Sequence, residues 1–251
     1  GVALEESHDS TVSNNSYSGS GLAISLSRSH DNRVTGNRLS GAMVSGIDDF
    51  RSRGNNHSQN TISGAKVGIS LRESQGCNIT GNICHKNERA GIFLDGGSDN
   101  SLKGNRLSEN GNGILLQKSA GNALVNNSAY QNSYGISIRA CGNNSLRSSR
   151  LWGNSYNLRI DSGQSGPEPS NHNFFVQDID SSNLADNKPV CYLVGEADLA
   201  VPSDCGFLGL ISCKNIRAAD LNITNSSTGV LLVNSTGCSI LGSRISFSEW
   251  G

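Results

Sequence analysis

Residues 90–117 read AGIFLDGGSDNSLKGNRLSENGNGILLQ and contain the pattern that decides the fold. A Gly followed by apolar residues one and three positions later begins at Gly91 and begins again at Gly113, 22 residues on. Between these units, Leu102 and Leu107 mark two further apolar positions in polar surroundings. The same unit recurs every 22 or 23 residues, and it starts at Gly68, Gly91, Gly113, Gly135 and Asn157. The chain is therefore built from an internal repeat.

Each repeat contains three short apolar positions separated by polar turns, which predicts three short β-strands. Three such strands cannot bury a core alone, so the repeats must stack coil on coil and enclose one between them. Crossovers between parallel strands are right-handed by default. We therefore predict an all-β fold, a right-handed parallel β-helix that forms a single domain over residues 1–251. The register extends to Gly1, Gly21, Gly46, Gly206 and Gly229, which gives about ten coils of ~22 residues.

The composition excludes several other classes of protein. The chain contains 30 Gly and 30 Asn, two residue types that disfavour helices. Charged residues make up 16% and the formal net charge is −1, so no electrostatic footprint for nucleic acid is present. No apolar run approaches the ~18 residues of a membrane helix. We therefore expect neither a nucleic-acid partner nor a membrane span in this segment, and no signal peptide is visible.

The Asn residues fall into columns at fixed positions of the repeat. The first column lies two positions before the second apolar site and contains Asn32, Asn55, Asn100, Asn122 and Asn144. The second lies three positions after that site and contains Asn15, Asn37, Asn60, Asn82, Asn105 and Asn127. A third contains Asn110, Asn132 and Asn154. Because Asn tolerates left-handed turns and stacked amides can form ladders, these columns predict a structural role.

These repeats resemble the NosD-like (CASH-type) right-handed β-helix proteins, through units such as Gly-Ile-x-Leu and Asn-x-Leu-x-x-Asn-x-Leu. The resemblance covers nearly the whole chain and implies the fold and an archaeal secreted or cell-surface protein. Residues 186–194, followed by Val201-Pro202, resemble an extension that is common in the archaeal members. The resemblance implies little about activity, because this scaffold carries enzymes, binding proteins and wall proteins alike.

The repeat is interrupted between Asn157 and Gly206, where 49 residues replace one coil. We predict an insertion over residues 161–205, with a loop around Pro167 and a β-hairpin over about residues 188–202 that stands off the stack. Cys191 and Cys205 bracket this hairpin and are candidates for a disulfide that closes a loop of about 15 residues. Other pairings stay open, because connectivity cannot be deduced from sequence.

The remaining cysteines show no metal-binding spacing, and both ends of the chain coincide with coil starts. Small buried residues are the simplest interpretation of the other five, which are Cys77, Cys84, Cys141, Cys213 and Cys238. Seven cysteines leave at least one thiol free or paired between chains. Uncapped coil ends expose strand edges. We therefore expect a fragment of a longer chain that self-associates or binds other surface proteins through its open coil ends.

No familiar polysaccharide lyase or glycosidase site assembles, which favours a protein that is not an enzyme. Asp48-Asp49 is the one pair of consecutive aspartates, and the Gly-His-Gly motif of polygalacturonases is absent. The register places Asp49 and His57 in core columns of one coil. Two interpretations stay open. The residues could form a buried Asp–His pair with a catalytic or metal-binding role, or a local bulge could turn Phe50 inward and both polar groups outward, which is the simpler expectation.

Four aromatic residues cluster on the predicted outer surface. Tyr130 and Trp152 share one outward column on adjacent rungs, and Tyr134 and Tyr156 share another. Aromatic faces at a rung spacing of ~4.8 Å can stack on sugar rings. With Arg139 as a polar partner, these residues are the candidate glycan-binding patch. The alternative is packing beneath the inserted hairpin.

Sequons are abundant and favour an extracellular or cell-surface glycoprotein. The candidate glycosylation sites are Asn14, Asn56, Asn78, Asn126, Asn143, Asn222, Asn225 and Asn234. Copper handling, which the NosD name implies, needs clusters of Met, Cys or His. The chain has one Met, and His8 and His30 share a turn column one coil apart. We therefore predict no metal site and no cofactor.

The sequence favours an exported structural or adhesive protein of a cell envelope or extracellular assembly. A carbohydrate-binding or polysaccharide-processing β-helix, similar to a lyase, epimerase or hydrolase, is the alternative. A copper-handling protein is the least favoured function. An open surface around the aromatic patch would support a glycan ligand, whereas burial under residues 188–202 would support packing.

Overall fold

The structure is a computed structural model that describes residues 1–163 and 171–249. The chain winds as a parallel β-helix of about 11 turns, which confirms the predicted fold class. Each turn places one strand in each of three sheets, and equivalent residues of successive turns pair in parallel register, as Ile69 does with Ile92. The loop predicted around Pro167 lies outside the described residues.

Three sheets form the N-terminal stack, which comprises residues 1–163 and 171–185. The first sheet contains β1 (Val2–Glu5), β4 (Ile24–Ser27), β7 (Ser45–Phe50), β10 (Val67–Arg72), β13 (Ala90–Asp95), β16 (Asn112–Gln117), β19 (Tyr134–Arg139) and β22 (Tyr156–Asp161). The second contains β2 (Thr11–Ser13), β5 (Arg33–Thr35), β8 (Asn56–Ser58), β11 (Asn78–Thr80), β14 (Ser101–Lys103), β17 (Ala123–Val125), β20 (Ser145–Arg147) and β23 (Asp178–Ile179). The third begins with β3 (Ser16–Ser18), β6 (Arg38–Ser40), β9 (Thr61–Ser63), β12 (Ile83–His85), β15 (Arg106–Ser108), β18 (Ser128–Tyr130), β21 (Arg150–Trp152) and β24 (Leu184–Ala185).

Residues 188–246 form a smaller C-terminal stack. Its longest strands extend the third sheet and are β25 (Lys188–Val194), β27 (Phe207–Ile211) and β30 (Val230–Val233). Two smaller sheets complete it, one of β26 (Ala200–Val201), β28 (Arg217–Ala219) and β31 (Ser239–Leu241), the other of β29 (Asn222–Thr224) and β32 (Arg244–Ser246). The described residues contain one turn of 3₁₀ helix, His172–Phe175. None of their helices is long and apolar enough to span a bilayer.

The recurring Gly of the first sheet permits close approach of successive coils. A Cβ atom at Gly113 would lie 2.5 Å from the carbonyl oxygen of Gly135, and one at Gly135 would lie 2.5 Å from that of Asn157. These distances are shorter than any side chain tolerates. Asn157 takes the place of Gly in β22, the last strand of the first sheet, where no further strand of that sheet follows.

The predicted Asn columns form hydrogen-bonded ladders inside the corners between sheets. Asn60 is representative, because its Oδ1 accepts from the backbone N–H and the amide of Asn37, both at 3.0 Å. Its Nδ2 donates to Val34 O at 2.9 Å and to Asn82 Oδ1 at 3.1 Å. Each such Asn thus joins three coils and satisfies backbone groups that would otherwise be buried without partners. Asn87 extends the third ladder.

The predicted hairpin over residues 188–202 is wrong. Strands β25 and β26 lie in different sheets and pair in parallel with β27 and β28, so the residues form a further coil. Gly195 and Asp198 adopt positive φ and bend the chain around a β-helix corner. The hairpin of this region lies earlier, where Leu184 pairs antiparallel with Pro189. Its turn is Asp186-Asn187, with φ of 47° and 65° as a two-residue hairpin of this type requires.

This chain reversal lays the C-terminal stack over the end of the N-terminal stack. Strand β27 is consequently buried on both faces: Phe207 and Ile211 join the core of the N-terminal stack, whereas Leu208 and Leu210 join the separate core of the C-terminal stack. The Tyr192 hydroxyl donates to the Phe175 carbonyl at 2.5 Å across this junction. Cys191 and Cys205 form a disulfide in the structure.

Candidate functional site

Asp49 and His57 lie inside the N-terminal stack, so the expected outward bulge is wrong. Asp49 stays in register with Leu71, His57 stays in register with Ile79, and both side chains are fully buried. The regular strands survive because the two side chains pair: His57 Nε2 lies 2.7 Å from Asp49 Oδ2. A buried ionisable group is tolerated only with such a partner. Within the described residues, Nδ1 of His57 is buried without a hydrogen-bond partner.

Further polar groups surround the Asp49 carboxylate. Asn55 Nδ2 donates to Oδ2 at 3.0 Å, and Ser74 Oγ donates to Oδ1 at 3.2 Å. Burial by itself would raise the pKa of Asp49, but the hydrogen bond and charge of His57, with the bond from Asn55, lower it below the ordinary value. Cys77 occupies the next ladder position, where other coils have Asn, and its Sγ lies 3.9 Å from Oδ2.

This acid–base pair has no route to a ligand in the outer solvent. Asp49 and His57 are both fully buried, and so is Cys77. Burial, with the nearby charge of Asp49 as a second cause, raises the pKa of the Cys77 thiol, and burial alone raises the pKa of Cys84. Neutral thiols are poor nucleophiles. The buried cluster therefore contributes to the structure of the core and is out of reach of a polymer in the outer solvent.

Tyr130 and Trp152 form a stacked pair on the outer face of the third sheet. Their ring centroids are 4.7 Å apart and their planes differ by 10°. Asp186 follows in register, but its left-handed turn directs the carboxylate towards Gly153 N and Asn157 Nδ2. The second face of the indole is consequently left uncovered. Trp152 is 39% exposed.

An open pocket of about 480 Å³ lies against that indole, lined by Arg150, Trp152, Gly153, Asp186 and Asn187. Residues 188–202 are not among the residues that line this pocket. The alternative of packing beneath a hairpin therefore does not describe Trp152.

The structure separates Tyr134 and Tyr156 from this platform. Their rings lie 5.2 Å apart at the start of β19 and β22, on the first sheet. The Tyr134 hydroxyl donates to Glu249 at 3.0 Å, and the Arg159 guanidinium lies 5.1 Å from its ring. Arg139 is engaged by Asp161 at 3.2 Å. Both tyrosines are half-buried in these contacts, so the predicted patch divides into an open pair and a packed pair.

An axial groove borders the third sheet, and the sequence did not predict it. Small residues recur at the corner that leads from the third sheet to the first, and leave a groove of about 930 Å³. Its walls include Gly41, Gly64, Gly111, Ser133, Gly153 and Ser155, with Lys66, Lys86, Glu88, Glu109 and Gln131 among the polar residues. Gly153 also lines the Trp152 pocket. The small residues lie in two neighbouring corner columns, with Gly41, Gly64 and Gly153 in one and Gly111, Ser133 and Ser155 in the other. Larger polar residues interrupt both columns, so the pattern is weak in the sequence.

The predicted sequons lie on the surface to different degrees. Six of the acceptor residues are exposed, namely Asn14, Asn78, Asn126, Asn143, Asn222 and Asn234. Asn56 and Asn225 are half-buried, and the Asn225 amide donates to Asp186. Glycosylation of all eight stays a prediction.

His8 and His30 stack with ring centroids 4.9 Å apart. Nδ1 of His8 accepts from the backbone N–H of His30, and Nδ1 of His30 accepts from that of Arg53. These bonds place the ring proton on Nε2 of each neutral histidine, so that neither exposed nitrogen offers a lone pair to a metal.

Comparison with known proteins places the chain among β-helix proteins. A family model described as "Periplasmic copper-binding protein (NosD)" matches residues 1–174. No curated protein matches the sequence. The crystal structure of the periplasmic alginate epimerase AlgG is similar over 90% of this chain and 47% of that chain, at 19% identity and a TM-score of 0.58. The chain thus spans about half the length of AlgG, and this likeness shows the fold alone.

Two further solved structures align with lower scores. The A-module of mannuronan C-5 epimerase AlgE6 from Azotobacter vinelandii aligns over 92% of this chain and 64% of that chain, with 13% identity and a TM-score of 0.42. PfbA, a surface adhesin of Streptococcus pneumoniae, aligns over 97% and 62%, with 13% identity and a TM-score of 0.44.

The donor set does not fit the copper ion that the family description names. Met43 is the single methionine, and His57 is sealed in the core. The His8–His30 stack directs protonated nitrogens outward. No group of three His, Cys, Asp or Glu side chains suited to a metal occurs in residues 1–163 and 171–249.

Proposed function

The chain belongs to the NosD family, and we propose that it is an envelope or extracellular β-helix protein that binds polysaccharide on its outer surface. The observation that carries this proposal is the uncovered face of the Trp152 indole, which lies against an open pocket. Aromatic faces of this kind give apolar contact area to a ligand while a polar rim orients it. The family description supports an envelope location.

The axial groove supports a polymeric ligand. It follows the corner of six successive coils, from Gly41 to Ser155, so it is elongated along the β-helix axis. At ~4.8 Å per rung, six coils give a groove of roughly 24 Å. Such a length suits an extended chain of sugars better than a single small molecule, and Gly153 connects the groove to the platform.

Binding is better supported than catalysis. The paired acid and base are Asp49 and His57, and both are sealed inside the stack. A general base must reach the proton that it abstracts. The proposed role is therefore adhesive, with the β-helix as a rigid support for the binding surface.

The test is a glycan array followed by calorimetric titration of any polysaccharide that binds. Trp152→Ala is expected to weaken binding at least about tenfold, a loss of about 1.4 kcal/mol. Leu241→Ala is the matched control, because Leu241 is an exposed apolar residue (47% exposed) that lies outside the third sheet. Absence of binding to every glycan, or equal losses in the two variants, would contradict the proposal.

A further inference from the structure

The outer face of the third sheet is basic. Its seven three-residue strands, from β3 to β21, contain neither Asp nor Glu. Three of them begin with an outward arginine, namely Arg38, Arg106 and Arg150, and each of these side chains is exposed. None of the three forms an ion pair with any residue of the described part of the chain. The face thus presents cationic groups that the protein itself does not neutralise.

The first sheet shows the opposite arrangement. Arg72 binds Asp48 at 2.7 Å. Arg139 lies 3.2 Å from Asp161, and Arg159 binds the same carboxylate from the other side. Arginines on that face are therefore held by acidic neighbours in the same strand or in an adjacent one. The two sheets belong to the same coils, so both faces come from the same stretch of sequence. The lack of Asp and Glu is therefore specific to the outer face of the third sheet.

The free arginines lie beside the aromatic platform. Arg150 precedes Trp152 by two residues on the same side of β21, a separation of about 7 Å. Arg106 lies two rungs from Arg150 in the same column, through the register of Ser128. A sugar stacked on the Trp152 indole is consequently within reach of the Arg150 guanidinium. A neighbouring sugar of the same polysaccharide then approaches Arg106.

We propose that the ligand of this face is an acidic polysaccharide, whose carboxylates bind Arg150 and Arg106 while a sugar ring stacks on Trp152. This inference rests on the proposed function and assigns its substrate class. The guanidinium group matches a carboxylate through two parallel N–H···O bonds, which neutral sugars cannot accept with comparable strength.

One carboxylate in the pocket needs an account, because it would repel an acidic ligand. Asp186 lines the Trp152 pocket. Its Oδ1 accepts from Gly153 N at 3.2 Å, and its Oδ2 accepts from the amides of Asn157 and Asn225 at 2.8 and 2.9 Å. Both oxygens are occupied by donors of neighbouring coils, which directs the charge away from the indole and towards the protein.

The experiment compares two polyuronates, polygalacturonate and polymannuronate, with the same polymers after chemical reduction of their carboxyl groups. The intact chain is expected to bind a polyuronate at least about tenfold more tightly than its reduced form. Affinity should fall as salt rises, because salt screens exposed charges. Arg106→Gln/Arg150→Gln should remove most of this preference, while Trp152→Ala should weaken binding to both polymers.

Arg33→Gln/Arg53→Gln is the matched control, since it removes two exposed arginines from outside this face. Circular dichroism and thermal unfolding confirm that every variant is folded. Equal affinity for a polyuronate and its reduced form would overturn the acidic-ligand inference and leave the proposed function standing. Failure to bind any polysaccharide would overturn both. Single-stranded DNA of matched charge bound as tightly as polyuronate would overturn the assignment to a glycan.

Discussion

The two stacks of this molecule use the same coil but hold their coils together differently. The N-terminal stack relies on Asn ladders in its corners, as the four hydrogen bonds of Asn60 illustrate. At the position that corresponds to Asn60, the C-terminal stack has a hydroxyl: Ser243 accepts from Leu221 N at 3.2 Å. It adds the Cys191–Cys205 disulfide.

The difference follows from the chemistry of the two side chains. An amide has two donors and an acceptor, so an Asn can bond coils on both sides of its own. A Ser hydroxyl reaches less far and has a single donor. A ladder of amides can therefore continue through many coils, whereas the shorter stack gains stability from the disulfide and from packing on the larger one.

The largest expected effect is in the core of the N-terminal stack, which alone contains a buried acid–base pair. His57→Ile should destabilise the protein by about 3–5 kcal/mol, because the Asp49 carboxylate is then buried without its counter-charge. Chemical denaturation followed by circular dichroism measures the change.

The double substitution Asp49→Leu/His57→Ile is the control. It continues the apolar columns of Leu71 and Ile79. It is expected to be neutral or stabilising by about 1–4 kcal/mol relative to the native protein. A double variant as unstable as the single one would contradict the view that the cost comes from the unpaired charge.

The ladders permit a direct comparison of the stacks. Asn60→Ala should cost about 3 kcal/mol, because it leaves the backbone N–H of Asn37 buried without a partner and removes the amide bonds to Val34 O and Asn82 Oδ1. Ser243→Ala, at the corresponding position of the C-terminal stack, should cost about 1 kcal/mol, since a single half-buried hydroxyl bridge is lost. Denaturation midpoints of the two variants test the order, and equal losses would show that the amides are not special.

The disulfide should matter to the C-terminal stack alone. Cys191→Ser/Cys205→Ser removes a cross-link over a sequence separation of 14 residues, a loop worth about 3 kcal/mol in the chain-entropy model. Amide hydrogen exchange should accelerate in β25 and β27 and stay unchanged in β10 and β13. Faster exchange throughout the N-terminal stack would mean that the two stacks unfold as one unit.

The smallest expected effect is a dependence of stability on pH. The pKa of folded Asp49 lies below its unfolded value of 3.8. The carboxylate therefore stabilises the fold above that value, and this contribution is lost as the pH falls through the folded pKa. Unfolding curves between pH 6 and pH 2 should show a steeper loss for the native protein than for Asp49→Leu/His57→Ile. Parallel losses would assign acid sensitivity to other groups.

Most of the fold could be predicted from the repeat, and less of the site. Gly113 and Asn60 contact residues that lie one coil away, so the period of 22 or 23 residues predicts these contacts directly. The hairpin over residues 188–202 was predicted wrongly because a β-helix corner and a hairpin turn use the same Gly-rich chemistry. Asp49 and His57 were expected to face outward, because the sequence does not state that their side chains meet.

The sequence by itself determined the coil, its three strands and the Asn ladders, because these depend on neighbours at a fixed separation along the chain. The tertiary structure alone decided what lies at the ends and edges of the stack. The reversal at Asp186-Asn187 directs the C-terminal stack over the core of the N-terminal one and turns the Asp186 carboxylate away from Trp152. The exposure of that indole depends on contacts between residues far apart in sequence, which no period encodes.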